Sequence, residues 1–174
     1  MPLYLGSSPP RVNGVYRMEP LKTIYDTNGG ESDEYSVNSL VFNITTNSSS
    51  ASKAMMSYYS QLANGKSTPA EDFYCYVGGD GKNFTLSNVT KYDYGFFSYT
   101  LITIVSGTLD GNKITGLHFA SVELDEDGNI EGVGIGTDDD GISPTTTWEP
   151  GSDDEDYWSS RRRTAIQSRK KQRR

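Results

Sequence analysis

A single cysteine, Cys75, and a single histidine, His118, are all that the sequence holds of the two residue types that most often carry nucleophilic, redox and zinc chemistry. One cysteine excludes an intramolecular disulfide framework, and no CxxC, HExxH, Walker loop, GxGxxG or GxSxG occurs. Cys75 lies in the apolar run FYCYV and reads as a buried structural thiol. His118 lies in TGLHFASV, alternating with strand residues, with no second histidine or cysteine near it. No stretch approaches the ~20 apolar residues of a membrane-spanning helix. The opening MPLYLGSSPP lacks the basic region and apolar core of a signal peptide. The chain therefore reads as synthesised in the cytoplasm, without membrane insertion, non-enzymatic, and without cofactor or metal.

Aspartate and glutamate are plentiful, but they fall in turns and acidic runs where solvation accounts for them. DEDGNIE (Asp125 to Glu131) and DDDG (Asp138 to Gly141) share the acidic–glycine pattern of calcium loops. The first lacks the twelve-residue pattern and flanking helices of an EF-hand, and a hairpin turn explains it without a metal.

Aliphatic residues are also scarce, and unevenly so. Hydrophobic residues make up 34% of the chain, and residues 138–174 hold almost no aliphatic side chains. The core must come from residues 12–137, enough for one modest domain. The acidic stretch TDDDGISPTTTWEPGSDDEDYWSS follows, with Trp148, Tyr157 and Trp158 as its large anchors. Alone, this composition would not fold. Two tryptophans in such a segment suggest docking points, on a partner or back on their own domain.

What is abundant is positive charge at one end. The net charge is −7, yet Arg161, Arg162, Arg163, Arg169, Lys170, Lys171, Arg173 and Arg174 crowd the last fourteen positions. All 23 acidic residues precede them, so the body is near −15 and the tail +8. Such a tail can meet acidic protein surface, can pair with nucleic-acid phosphates, or can merely remain solvated. It has no interleaved aromatics, which argues against base stacking. Residues 138–174 reach on the order of 120 Å when extended, enough to cross a neighbouring subunit.

Between these limits the pattern is mainly β. Residues 12–18 and 35–45 alternate as strands, with DTNGGESDE as a loop between them. In residues 51–63, Met55, Tyr58, Tyr59 and Leu62 recur at i, i+3, i+4 and i+7, which predicts one helix. From residue 73 the chain is strand-rich. Residues 96–136 predict a three-stranded antiparallel meander with hairpin turns at Asp110–Asn112 and Asp127–Asn129. The expected fold is a single antiparallel sandwich-like or meander domain with one short helix. Its parts are an N-terminal hook (1–11), a body (12–137), an acidic linker (138–160) and a basic arm (161–174).

The opening MPLYLGSSPPRVNGVYR resembles the N-termini of small structural proteins of tailed bacteriophages, through Leu3, Tyr4, Leu5, Gly6 and Ser7. The resemblance implies a virion component of capsid, neck, tail or baseplate, assembled in a bacterial cytoplasm. The partners it implies are other virion proteins, in a homo-oligomer or a larger assembly. The expected contact residues are Leu3, Tyr4 and Leu5 in the hook, Trp148 and Trp158 in the linker, and the eight cations of the arm. Two alternatives stand beside it. A carbohydrate- or receptor-binding β-module would use tyrosine and tryptophan beside Asp and Asn. A nucleic-acid-binding accessory protein would act through residues 161–174.

Overall fold

A computed structural model describes residues 1–27, 37–95 and 97–151. Among them are eleven strands: β1 (Ser7–Ser8), β2 (Asn13–Met18), β3 (Leu21–Asp26), β4 (Val37–Thr46), β5 (Lys53–Leu62), β6 (Glu71–Asp80), β7 (Asn83–Asp93), β8 (Ser98–Asp110), β9 (Lys113–Leu124), β10 (Ile130–Asp138) and β11 (Ile142–Pro144). All belong to one sheet with the order β2-β4-β5-β6-β7-β8-β9-β10-β3, to which β1 adds on β6 and β11 on β9. Each strand from β4 to β10 is antiparallel to the next. The fold is therefore mainly β, one continuous meander instead of two packed sheets.

The sheet curls until its ends meet. β2 and β3 form one path interrupted at Glu19–Pro20, and β10 and β11 form another interrupted at Asp139–Gly141. β3 pairs with β10, and just beyond β11 Thr145 bridges Tyr16 of β2 while the Thr146 N–H donates to the Val15 carbonyl at 2.9 Å. The result is a barrel-like wall of eight strand paths, which leaves few open edges. Asp138 sits at the seam, 3% exposed, accepting from the Ser143 hydroxyl at 2.7 Å and the Glu19 N–H at 3.2 Å. Burial, with Asp140 beside it, raises its pKa above the ordinary aspartate value.

The expected helix at 51–63 does not form; Lys53–Leu62 is β5, paired with β4 on one side and β6 on the other. Ala54, Met56 and Leu62 are buried on the inner face with Tyr58 beside them, a period of two. Tyr59 points outward yet is buried, because Trp148 lies against it with ring centroids 5.1 Å apart. Two apolar residues on the outer face, covered Tyr59 and exposed Met55, turned a strand pattern into an apparent helical one.

Inside, the wall alternates as β structure requires. Ile44, Met56, Val77, Phe84, Leu86, Val105, Ile114 and Leu117 fill one end. Val12 seals that end from below, its N–H bonded to Thr46 Oγ1 at 2.8 Å. At mid-height Phe42, Tyr58, Phe73 and Phe119 pack with centroids 5.4–5.9 Å apart. Each such pair contributes about 0.5–1.5 kcal/mol beyond area burial. Cys75 is buried among these side chains, and burial pushes its thiol pKa up to about 12. The hairpin turns expected at Asp110–Asn112 and Asp127–Asn129 are present, with Gly111 and Gly128 at positive φ. No helix among the described residues is long and apolar enough to cross a membrane.

Candidate binding mouth of the barrel

Antiparallel order gathers alternate strand ends at one rim: the starts of β6, β8 and β10 with the ends of β3, β5, β7 and β9. Above the aromatic layer the inward residues change character. Glu71 continues the inner row of Phe73 and Cys75. Tyr99, Leu101 and Thr103 continue the row of Val105, and Ser121 and Glu123 that of Phe119. Leu101 faces Glu123 in register, and Thr103 faces Ser121.

Across this row the inner face of β10 carries no side chains at all. Gly136 is opposite Phe119, Gly134 opposite Ser121, and Gly132 opposite Glu123. A Cβ placed on Gly134 would meet only Ser121 Oγ, at 3.2 Å. The alternation GVGIG thus puts its aliphatic residues outside and leaves bare backbone within. Thr103, 1% exposed, carries a hydroxyl with no hydrogen-bond partner among the described residues. A buried hydroxyl left this way costs free energy unless something in the throat bonds to it.

The rim opens between β6 and β7. Their pairing ends at Tyr76–Ser87, while β7 and β8 stay paired to Asp93–Ser98. Asn88 spans the gap with its side-chain amide donating to the Tyr74 carbonyl at 2.7 Å. Tyr92 reaches across to Glu71, its hydroxyl 3.2 Å from Oε2. Tyr92 stacks on Tyr99 at 4.8 Å, and Tyr94 on Phe97 at 4.9 Å, so the hairpin tip is an aromatic platform. Acidic residues ring it: Asp26, Glu71, Asp93, Glu123, Asp125 and Glu131 all lie at this end. Of the body's lysines and arginines, Lys66 and Lys91 lie at this end and the rest towards the other.

The first and last described segments lie on the outer wall. The hook crosses β6 and β7 by its backbone: the Tyr4 N–H donates to Thr85 Oγ1 at 2.8 Å, and Gly79 N–H to the Gly6 carbonyl at 2.9 Å. Leu3 and Leu5 face outward, 53% and 84% exposed. At the other end, residues 145–151 run as a strap from β2 over the outer face of β5. Trp148 packs on Tyr59, and the Gly151 N–H donates to the Thr68 carbonyl at 2.9 Å. Thr68 lies just before β6, so the strap ends at the mouth. Trp158 and the expected contacts Arg161, Arg162, Arg163, Arg169, Lys170, Lys171, Arg173 and Arg174 lie outside the described residues, as does most of DTNGGESDE.

His118 faces outward, its Nδ1 2.8 Å from the Gly116 carbonyl, far from Cys75 in the interior. The two acidic loops differ. The Asp125 carboxylate accepts from the backbone of Asp127 and Asn129 and from the Asn129 side chain, which holds its pKa below the usual value. Asp138 holds the Ser143 hydroxyl and the Glu19 N–H through Oδ2 at the seam. Among the described residues no three His, Cys, Asp or Glu side chains are grouped to hold a metal. Comparison with protein-family models, with curated proteins and with solved structures finds no match.

Proposed function

We propose that this protein is a non-enzymatic assembly subunit of bacteriophage-virion type, which binds copies of itself or neighbouring virion proteins through the outer wall of its barrel. One observation carries the proposal: the hook and β6 together present a continuous apolar stripe. Leu5 crosses Gly78, where an added Cβ would lie 3.5 Å from the Leu5 Cα. Tyr76 and Tyr74 follow on the same outer face, 72% and 79% exposed, and Met55 lies opposite Tyr74 in register. Adjacent exposed large side chains are unusual on a lone domain and mark contact surface. A second apolar row, Val89–Ile102–Val122–Val133, crosses the outer faces of β7 to β10. Two unlike patches on different sides suit head-to-tail packing, which builds rings or stacks. The resemblance of the opening segment to phage structural proteins supports the same reading, and a body near −15 joined to a +8 arm offsets repulsion between packed copies.

The test is removal of residues 1–8 together with Tyr74→Ser and Tyr76→Ser, read by sedimentation and by incorporation into particles. Loss of association with an unchanged far-ultraviolet spectrum is expected; full assembly by this variant would overturn the proposal. The exposed tyrosines also favour a carbohydrate- or receptor-binding reading. Glycan binding by the intact chain that is lost in Tyr74→Ser, with assembly unaffected, would establish that reading instead.

A further inference from the structure

An inner strand of a sheet satisfies its backbone on both sides, and a strand left bare on one side is an edge. The barrel wall contains two such edges facing each other. β5 is paired along β6 from Glu71 to Tyr76, and β8 along β7 from Asn83 to Asp93, but β6 and β7 pair with each other only as far as Tyr76–Ser87. Backbone groups alternate in direction along a strand. The Val77 and Gly79 N–H groups point to the β5 side of β6, at the Ser52 and Gly6 carbonyls, so those of Asp72 and Tyr74 point towards β7. The Tyr94 N–H points to the β8 side, at the Phe97 carbonyl, so those of Val89 and Lys91 point towards β6. Among the described residues Val89 and Lys91 have no backbone partner on that side, and the Tyr74 carbonyl meets only the Asn88 side-chain amide.

Donors and acceptors that alternate along both borders match another backbone, and neither a phosphate nor an acyl chain offers that pattern. An extended peptide can add here as a strand. Its side chains are dictated by its neighbours. Continued past Tyr76–Ser87, the register sets Tyr74 level with Val89, Phe73 with Thr90, and Asp72 with Lys91. Tyr74 and Val89 point outward, 79% and 67% exposed, so a residue between them finds an apolar seat. At the next level Phe73 is buried in the core and the Thr90 hydroxyl is bonded to Asn88 Oδ1, so the inward residue must be small. One level further towards the rim, exposed Asp72 and Lys91 flank a polar residue. We propose that the slot between β6 and β7 binds an extended segment of a neighbouring protein that reads apolar, small, polar towards the rim. The Asn88 amide, which now spans the slot, turns to the incoming backbone. The inference goes beyond the assembly role: the test of that role removes the hook, and the slot's test leaves the hook in place.

That test uses the full chain and a capped synthetic peptide, Thr-Ser-Leu-Ser-Thr, which reads the same in both directions. The measurement is amide hydrogen exchange. In the free chain the Val89 and Lys91 amides should exchange faster than those of Asn88 and Thr90, which face β8. With peptide at about ten times its Kd, exchange at Val89 and Lys91 should slow about ten-fold. The same peptide with proline for each serine should leave them unchanged, because it lacks the donors for one border. Lys91→Pro should abolish binding and retain the ladder to β8, since the lost N–H faces the slot. Val89→Ser keeps the backbone intact and should weaken binding about five-fold through the lost apolar seat. No slowing at ~10 mM peptide, where even a millimolar site is filled, would overturn the inference. So would slowing that survives both variants, or Val89 and Lys91 amides that are as slow as Asn88 and Thr90 in the chain alone at every dilution. Protection that grows with the concentration of the chain alone would assign the slot to a second copy and overturn the choice of a foreign segment.

Discussion

The hook and the strap lie on the same outer wall, and they are held by opposite parts of themselves. The hook is fixed through backbone: Tyr4 N–H and the Gly6 carbonyl bond to β7 and β6, and its leucines face away. The strap is fixed chiefly by a side chain, with Trp148 on Tyr59 and backbone bonds before and after it. Side-chain docking is consumed by the fold, whereas backbone docking leaves the side chains available. The strap is thus part of the barrel, whereas the hook lies on the barrel with its leucines exposed. That difference divides the contact residues expected from the sequence: Leu3 and Leu5 remain presented, and Trp148 is engaged at home.

The largest test of this division is on the strap. Tyr59→Ala removes a side chain 1% exposed and the ring on which Trp148 rests; a loss of about 3–4 kcal/mol in urea unfolding is expected, within the range for buried aromatics. Trp148→Ala should cost roughly 1–3 kcal/mol because that ring is only half-buried, and the double variant should lose less than the sum. If Trp148→Ala left stability unchanged, the strap would belong with the hook.

On the hook the effect should be smaller. A Cβ at Gly6 would lie 2.4 Å from the Gly79 carbonyl oxygen, so Gly6→Ala must lift the segment off β6. About 1 kcal/mol of stability is expected to go with the lost bonds, together with assembly. A variant that keeps the hook's amide protection in hydrogen exchange would break the comparison.

The seam offers a pH-dependent test. Because burial raises the Asp138 pKa, the folded state disfavours its charge; that penalty is fully present at neutral pH and fades as the carboxyl is protonated. Asp138→Asn should therefore raise the melting temperature at pH 7, with the gain vanishing by about pH 3, below the ordinary aspartate range. A gain that grew in acid would contradict the assignment. Smallest of all in stability is Leu5→Ser, expected within ~0.5 kcal/mol of the parent because the side chain touches little; its effect should appear in association alone.

Where a segment alternates cleanly and both faces behave as expected, its structure is readable from the sequence. The β8–β9–β10 meander and its Gly111 and Gly128 turns are such a case. β5 reads as helix because two outward residues are apolar, Met55 and a Tyr59 that packs against a tryptophan 89 positions later. No window of local sequence contains that cause. β3 is illegible for the opposite reason: past Leu21 its residues are exposed, so no apolar row announces it. The mouth is hidden by chemistry shared with loops, since Glu71 and Glu123 look like solvated acids until the register turns them inward. One signal is available, the run Gly132, Gly134, Gly136, which places glycine on a single face of a strand. Beyond Gly136 the composition reads as linker, yet Ile142–Gly151 is laid onto the wall by partners far away in sequence.

The seam also governs how the molecule comes into being. Tyr16 must wait for Thr145 and Val15 for Thr146, so the first wall of the barrel is unpaired on one side until those residues have emerged from the ribosome. Contacts so distant in sequence close late and slowly. During that interval β2 and β9 are open edges, and the neighbouring nascent copies in a crowded cell carry identical ones. A stop codon before Ile142 would make that interval permanent, yielding a chain that holds nearly all of its core and collects in inclusion bodies.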